Sequence, residues 1–269
     1  MSEPERSEAS GSERGRQARG SNDAREREPA RGALGGLTAT MIQARWNAKR
    51  MVRGRVVWVA AFFAALPVAY TLLAGMNGAG AWSDVFPPLV MLAAVVAPLF
   101  MAASMAEEIE ERTYTYLWSR PVPRWSVVMG KLVASIPIAG AVVAAAVVGC
   151  YAFGKGASSD QLVRGIAAVL AGTIAACSVS AALAILFPRA GLAITYAYLL
   201  ALDLPIGAIP FSIRNATITH QIRVIAGVSE VEPAPPLVQG VVWLVGISAF
   251  WLAIGFLRLR RAEFSSGEK

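Results

Sequence analysis

The sequence predicts an all-α polytopic membrane protein: six transmembrane helices preceded by an interfacial amphipathic helix, with short helices in the outer segment between the last two spans. Three observations predict it. Apolar residues make up 55% of the 269 residues, with a mean hydropathy of +0.51, against about 45–50% in an ordinary soluble chain. They gather into runs of about 20 residues, the length that crosses a ~30 Å hydrocarbon layer. The runs are joined by short segments, and Lys and Arg crowd into alternate ones.

Residues 1–37 carry seven Arg against seven acids. Balanced charge forms no basic patch, which argues against a nucleic-acid partner despite the net charge of +7. With Ser, Gly, Glu and Arg and almost no large apolar side chains, this stretch is expected to be a disordered cytoplasmic tail. It lacks the apolar core of a signal peptide. In Thr38–Arg55 (38–55), apolar residues fall near Met41, Ala44, Ala48 and Val52, while Arg45, Lys49 and Arg53 recur on another stripe. That spacing predicts a helix lying in the inner interface, its cations near anionic head groups of membrane lipids; a plain extension of the first span is the alternative. Thr40 followed by Gln43 suits a capping box at its start.

The transmembrane domain is expected over 56–257. Its six stretches are Val56–Met76, Phe86–Met105, Leu132–Phe153, Gly165–Phe187, Ala190–Ile209 and Leu237–Leu257. Pro67, Pro98 and Pro137 lie inside spans, where neighbouring groups can satisfy the freed carbonyls, and predict kinks. With the N-terminus inside, the inner segments hold 21 Lys and Arg against 4 in the outer ones, and 14 against 4 when residues 1–37 are left out. The positive-inside bias therefore orients the chain. An even number of spans puts both termini, including the C-terminal tail 258–269, on the cytoplasmic side of the cell inner membrane.

The inner segment 106–131 breaks the charge rule. Glu107, Glu108, Glu110 and Glu111 place four acids at the inner end of a membrane helix. Glu108 and Arg112 are favourably spaced at i, i+4, whereas Glu107 and Glu111 repel at the same spacing. The helix gains little, so the acids need another reason. Tyr114, Tyr116, Leu117 and Trp118 follow, and Pro121 and Pro123 then stop the helix in a rigid turn. An aromatic and apolar group rimmed by charge reads as a protein contact surface; a loop packed back on its own helix ends is the alternative.

The residues Glu107, Glu108, Glu111, Thr113, Leu117, Pro121, Val122, Arg124, Gly130 and Lys131 resemble the cytoplasmic loop of ABC transporter permeases of the ABC-2 type. This chain has Arg112 where family members often have Gly, and Thr115 where they often have an acid. The resemblance covers about residues 38–260. It implies that the 107–118 stretch is a coupling helix seated in a groove of a separate ABC ATPase subunit, and that the permease works as a homodimer. ATP and Mg would then sit on the partner ATPase, with no cofactor in this chain. The sequence agrees, because it contains no Gly-rich phosphate loop ending in Lys-Ser/Thr. The chain reads as a transport subunit rather than an enzyme.

Three further features bear on function. Asp203 falls within the fifth stretch, where a carboxylate costs about 2.5–3.5 kcal/mol on insertion scales. Capping the backbone near Pro205 or the outer segment competes with substrate contact as its role, and Tyr196 and Tyr198 either line a translocation path with it or pack as ordinary aromatics. The outer segment 210–236 is too polar to span, yet its Phe211, Ile213, Ile218, Ile222, Val224 and Ile225 predict one or two short helices dipping into the outer leaflet; a surface loop is the alternative. Cys150 and Cys177 differ in depth by about 15–20 Å at the helical rise and are not expected to pair. His220 is the single histidine, too little for a metal site.

An ATP-driven exporter permease is thus the leading function. An ion-coupled carrier would ask for several ionisable groups near mid-membrane, and a membrane enzyme for a reaction centre. A non-transport scaffold that anchors an ATPase is the remaining alternative. Spans rich in Ala, Val and Leu suit an amphiphilic cargo, and lipid-facing helices share that composition.

Overall fold

The computed structural model describes residues 28–76, 81–110, 124–154, 156–228 and 236–265, and these form helices joined by short connections. In chain order they are α1 (Glu28–Arg53), α2 (Arg55–Met76), α3 (Trp82–Glu110), α4 (Arg124–Phe153) and α5 (Ser159–Leu186). α6 follows as Gly191–Tyr196, runs on as a π-helical segment over Ala197–Asp203 and closes with one turn, Leu204–Ile206. A 3-10 turn (Ser212–Ala216), α7 (Ile218–Ala226) and α8 (Leu237–Ser265) complete the chain. Residues 1–27 and 266–269, within the predicted tails 1–37 and 258–269, lie outside the described residues.

α2, α3, α4, α5 and α8 are long and apolar enough to cross a membrane. Most run beyond the predicted stretches, because an apolar run marks only the hydrocarbon crossing while the helix continues into its polar flanks. The fifth predicted stretch, Ala190–Ile209, does not reach that length. Its pieces of 6, 7 and 3 residues make about 24 Å at the helical rise, short of the ~30 Å layer. The wider π turn and the proline at Leu204-Pro205 shorten and end it.

α5 is the axis of the bundle: α3, α4, α6, α7 and α8 all pack on it. Over their apolar windows α3 and α5 are each 72% buried, whereas α2 and α8 are 17% buried and form the outside. Small residues on α5 make the crowding possible. A methyl at Gly165 would fall 2.8 Å from the Trp82 ring, and one at Gly172 would overlap the Ile222 side chain of α7. α5 starts with a true capping box, in which the Ser158 hydroxyl takes the Gln161 N–H at 3.2 Å and the Gln161 side chain takes the Ser158 N–H at 2.9 Å.

α1 departs from the predicted 38–55 boundary in two ways. It begins at Glu28-Pro29, a pair suited to a first helical turn, so its first ten residues belong to the stretch read as tail, and it breaks at Gly54 before α2. Thr40 is therefore mid-helix and caps nothing; its hydroxyl bonds back to the Gly36 carbonyl at 2.9 Å. The inward stripe is Thr40, Ala44, Asn47 and Met51, packed on α4, while Met41 and Val52, expected on the apolar side, are exposed. Arg45, Lys49 and Arg53 are exposed as well. The outer segment 210–236 contains the expected short helices, the 3-10 turn and α7, up to Val228; residues 229–235 lie outside the described residues.

Packing at Gly172 can be tested directly. Gly172→Leu should lower stability by about 1–3 kcal/mol through overpacking, seen as a lower melting temperature of the purified chain in detergent. Unchanged melting would mean that α7 does not seat on α5.

Candidate functional site

Two ends of the bundle carry the polar residues that the sequence singled out. At the first, α3 ends and α4 begins. Glu107 and Glu108 lie on the last turns of the α3 backbone and Arg124 opens α4, with their side chains outside the described residues. Glu111, Arg112, Thr113, Tyr114, Tyr116, Leu117, Trp118 and Pro121 also lie outside them. What the structure describes is the frame that holds both ends of this segment.

That frame is built around Lys131. Its side chain is fully buried, and Nζ donates to the Ser104 carbonyl of α3 at 2.7 Å. A buried ammonium is expensive unless hydrogen-bonded, and a cation near the last turns of a helix also meets the negative end of its dipole. One residue earlier, a methyl on Gly130 would fall 2.9 Å from the Gln43 Cβ of α1, so only glycine lets α1 lie this close to α4. Ser135, one turn on, contacts the sulfurs of Met51 and Met101 at 3.8 and 3.7 Å. α1, α3 and α4 are thus stitched together where the acidic segment leaves the bundle. Gly130 and Lys131 belong to the motif read in the sequence, yet what they do depends on α1 for Gly130 and on α3 for Lys131.

At the other end stands Asp203, the last residue of the π segment, buried among α6 and α7. Its Oδ1 accepts the Ile218 N–H at 2.8 Å and its Oδ2 the Thr219 N–H at 3.0 Å. The N-cap Thr217 hydroxyl oxygen takes the His220 N–H at 3.4 Å, so the first three amides of α7 are all satisfied. The Thr219 hydroxyl returns a bond to the Asp203 carbonyl at 3.0 Å. Gly207 makes room, since a methyl there would run into the hydroxyls of Thr217 and Thr219. A carboxylate at a helix N-terminus is favoured by the dipole.

Tyr196 and Tyr198 face other neighbours. The Tyr196 hydroxyl donates to the Val95 carbonyl of α3 at 3.1 Å, beside the Ala94 carbonyl that Pro98 leaves without its helical donor. Tyr198 packs edge-to-face on Trp251 of α8 at 5.3 Å. The three residues grouped in the sequence as a tentative path therefore tie α6 to α7, α3 and α8. Sequence reasoning missed Thr217 and Thr219; Thr217, directly before the nine residues Ile218–Ala226, was the available N-cap signal. Both cysteines are free and buried, and the described residues contain no cluster of three or more His, Cys, Asp or Glu.

Asp203→Ala leaves two buried amides unpaired, so a loss of about 2–6 kcal/mol is expected at ~1–3 kcal/mol each. Asp203→Asn, which keeps one acceptor, should melt between the wild type and the alanine variant. His220 supplies a pH dependence. Burial first, and then the charges of Arg214 and Arg223, hold its imidazole below the ordinary value of 6.5. The unfolded chain therefore binds the proton more readily, so this contribution to stability is fully present above pH 6.5 and is lost as pH falls toward the lowered value. Melting temperature should drop between about pH 7 and pH 5, and His220→Gln should flatten that drop.

The family model described as ABC-2 family transporter protein matches residues 59–226, from the start of α2 through α7, with the 111–123 segment and the Asp203 cap inside the match. No curated protein matches the chain. The match takes in more than half of the sequence, and four of the five long apolar helices fall within it or begin just before it. With those helices and that match, the chain is a multi-pass membrane protein that belongs to the ABC-2 family of transporter proteins.

Proposed function

We propose that the chain is the permease subunit of an ATP-binding-cassette exporter, working as a homodimer with a separate ATPase subunit that holds ATP and Mg. The observation that carries this reading is the junction of α3 and α4. There a run of glutamates leaves a helix whose neighbouring turns are tied to α4 by the buried Lys131 bond at 2.7 Å. Residues Glu107, Glu108, Glu111, Arg112, Thr113, Tyr114, Tyr116, Leu117, Trp118, Pro121 and Arg124 form the surface offered to the ATPase. When two ATPase copies close on ATP they push this segment. Because α1, α3 and α4 are pinned at Lys131 and Gly130, the push moves them together as a rigid body rather than bending a loose loop.

In this reading α6 is the remaining crossing, and the count returns to six. The excess of 21 Lys and Arg over 4 puts the acidic segment and both termini on the cytoplasmic side of the cell membrane. α1 lies in the inner interface, with Arg45, Lys49 and Arg53 beside Met41, Ile42 and Trp46 toward the lipid head groups. Asp203 holds the outer segment in place and does not touch cargo, a role supported by its two backbone bonds.

The test is association. An ATPase carrying a Lys-Ser/Thr phosphate loop should co-purify with the tagged wild-type chain from native membranes. Glu107→Lys, Glu108→Lys and Glu111→Lys together should reduce that recovery at least about tenfold, since like charges across an interface cost several kcal/mol and about 1.4 kcal/mol is tenfold. Undiminished recovery by a variant that elutes like the wild type would sink this reading.

A further inference from the structure

Helix α6 changes its winding between two fixed points. Upstream, the Tyr196 hydroxyl holds the Val95 carbonyl of α3 at 3.1 Å, and Tyr198 packs on Trp251 of α8. Downstream, the two carboxylate oxygens of Asp203 hold the Ile218 and Thr219 amides of α7 at 2.8 and 3.0 Å. The residues that join them, Ala197–Asp203, are π-helical, and the Leu204 N–H closes the segment on the Leu199 carbonyl, five residues back. An α-helix closes on the fourth residue back, so the segment holds about one residue more than an α-helix through the same space. π turns are rare and are found mostly at functional positions. Here the extra residue decides which side chain meets α7. Asp203 is 2% exposed, whereas Leu202 just before it is 52% exposed. Wound as an α-helix from the same start, the end of the segment would advance by about 100°, the turn of one residue. Leu202 would then stand where Asp203 stands now, and the carboxylate would leave the amides.

The rearrangement is local. Only the single turn Leu204–Ile206 follows the segment, and Pro205 has no N–H to bond in either winding. A change of register therefore displaces one turn rather than a long helix, while Tyr196 and Tyr198, at or before the start, keep their neighbours. We propose that the π segment of α6 is a register switch for α7: π winding seats α7 by presenting Asp203, and α winding unseats it by presenting Leu202. What α7 covers gives the consequence. Ile222 occupies the space over Gly172 of α5, and Ile225 lies against Gly240 of α8, where a methyl would fall 2.8 Å from its Cγ1. Unseating α7 uncovers the groove between α5 and α8 at this end of the bundle. Two discrete windings make a bistable element, the kind that turns a small shift into a larger movement. The switch lies within this chain and operates without a partner.

The purified full-length chain in detergent is followed by hydrogen exchange, read by mass spectrometry on peptides covering 217–226 and, as a control, the middle of α5. Asp203→Leu removes the carboxylate and should speed exchange over 217–226 by at least about tenfold, since two buried amides lose their acceptors. Adding Leu202→Asp to that change should bring exchange back to within about threefold of the wild type, because the new carboxylate reaches the same amides once the segment winds as an α-helix. Deletion of Ala201 takes out the extra residue and leaves Asp203 in its present place on a plain α-helix. With no second winding to adopt, 217–226 should then exchange at least about tenfold more slowly than in the wild type. Exchange in α5 should stay within about twofold throughout, because the switch moves α7 and not the bundle. A double variant that exchanges as fast as Asp203→Leu, a deletion variant no slower than the wild type, or changes of equal size in α5 would each overturn the proposal. If Asp203→Leu does not elute like the wild type, recovery of normal elution on adding Leu202→Asp supports the switch and its absence overturns it. If the deletion variant does not, the double variant alone decides.

Discussion

Lipid tails are as apolar as leucine, so helices inside a bilayer gain little by hiding from their surroundings and associate instead through close contact. In this chain that requirement falls on α5. Its glycines and alanines let five other helices approach, and the Gly165–Trp82 and Gly172–Ile222 contacts fill the space that a larger residue would occupy. α3, α4, α6, α7 and α8 are placed by α5, while α1 lies on α4 and α2 on α3 and α4. The cost is a core of small side chains with little volume of its own, and Trp82, Phe86 and Phe100 from α3 supply the bulk.

Given that bundle, the polar chemistry gathers at its two ends and follows the helix dipoles. Lys131, a cation, meets a carbonyl in the last turns of α3, and Asp203, an anion, meets the first amides of α7. Each buried charge is placed against the helix end of opposite partial charge. Both bind backbone, so each fixes the position of a helix rather than a side chain. The two are thus fasteners, one for the region from which the acidic segment departs and one for the short helix α7.

Much of this was legible in sequence. Long apolar runs report the hydrocarbon crossing directly, because burial in lipid depends on composition and length alone, and four predicted stretches plus the last one emerged as long helices. Ala190–Ile209 has the apolar content of a span, but Pro205 and the π segment leave it shorter than the other five helices. On α1 the hydropathy pattern groups Met41, Ala44, Ala48 and Val52 on one apolar stripe, while the side packed on α4 is Thr40, Ala44, Asn47 and Met51. That helix packs at a polar end of the bundle, and its rotation is set by where Gly130 admits it rather than by its own apolar residues.

By itself, then, the sequence determined the membrane class, the long apolar helices and the one connecting segment whose glutamates oppose the local charge. These are properties of a residue and its near neighbours, and a transfer free energy or a helical period can be read from them. Only the tertiary structure decided that Lys131 reaches Ser104 across 27 residues, that Asp203 caps a helix 15 residues on, and that Tyr196 bonds a carbonyl 101 residues away. Such pairs depend on which helices come within a few ångströms of one another. That distance is set jointly by small residues on both partners, and no local pattern carries it.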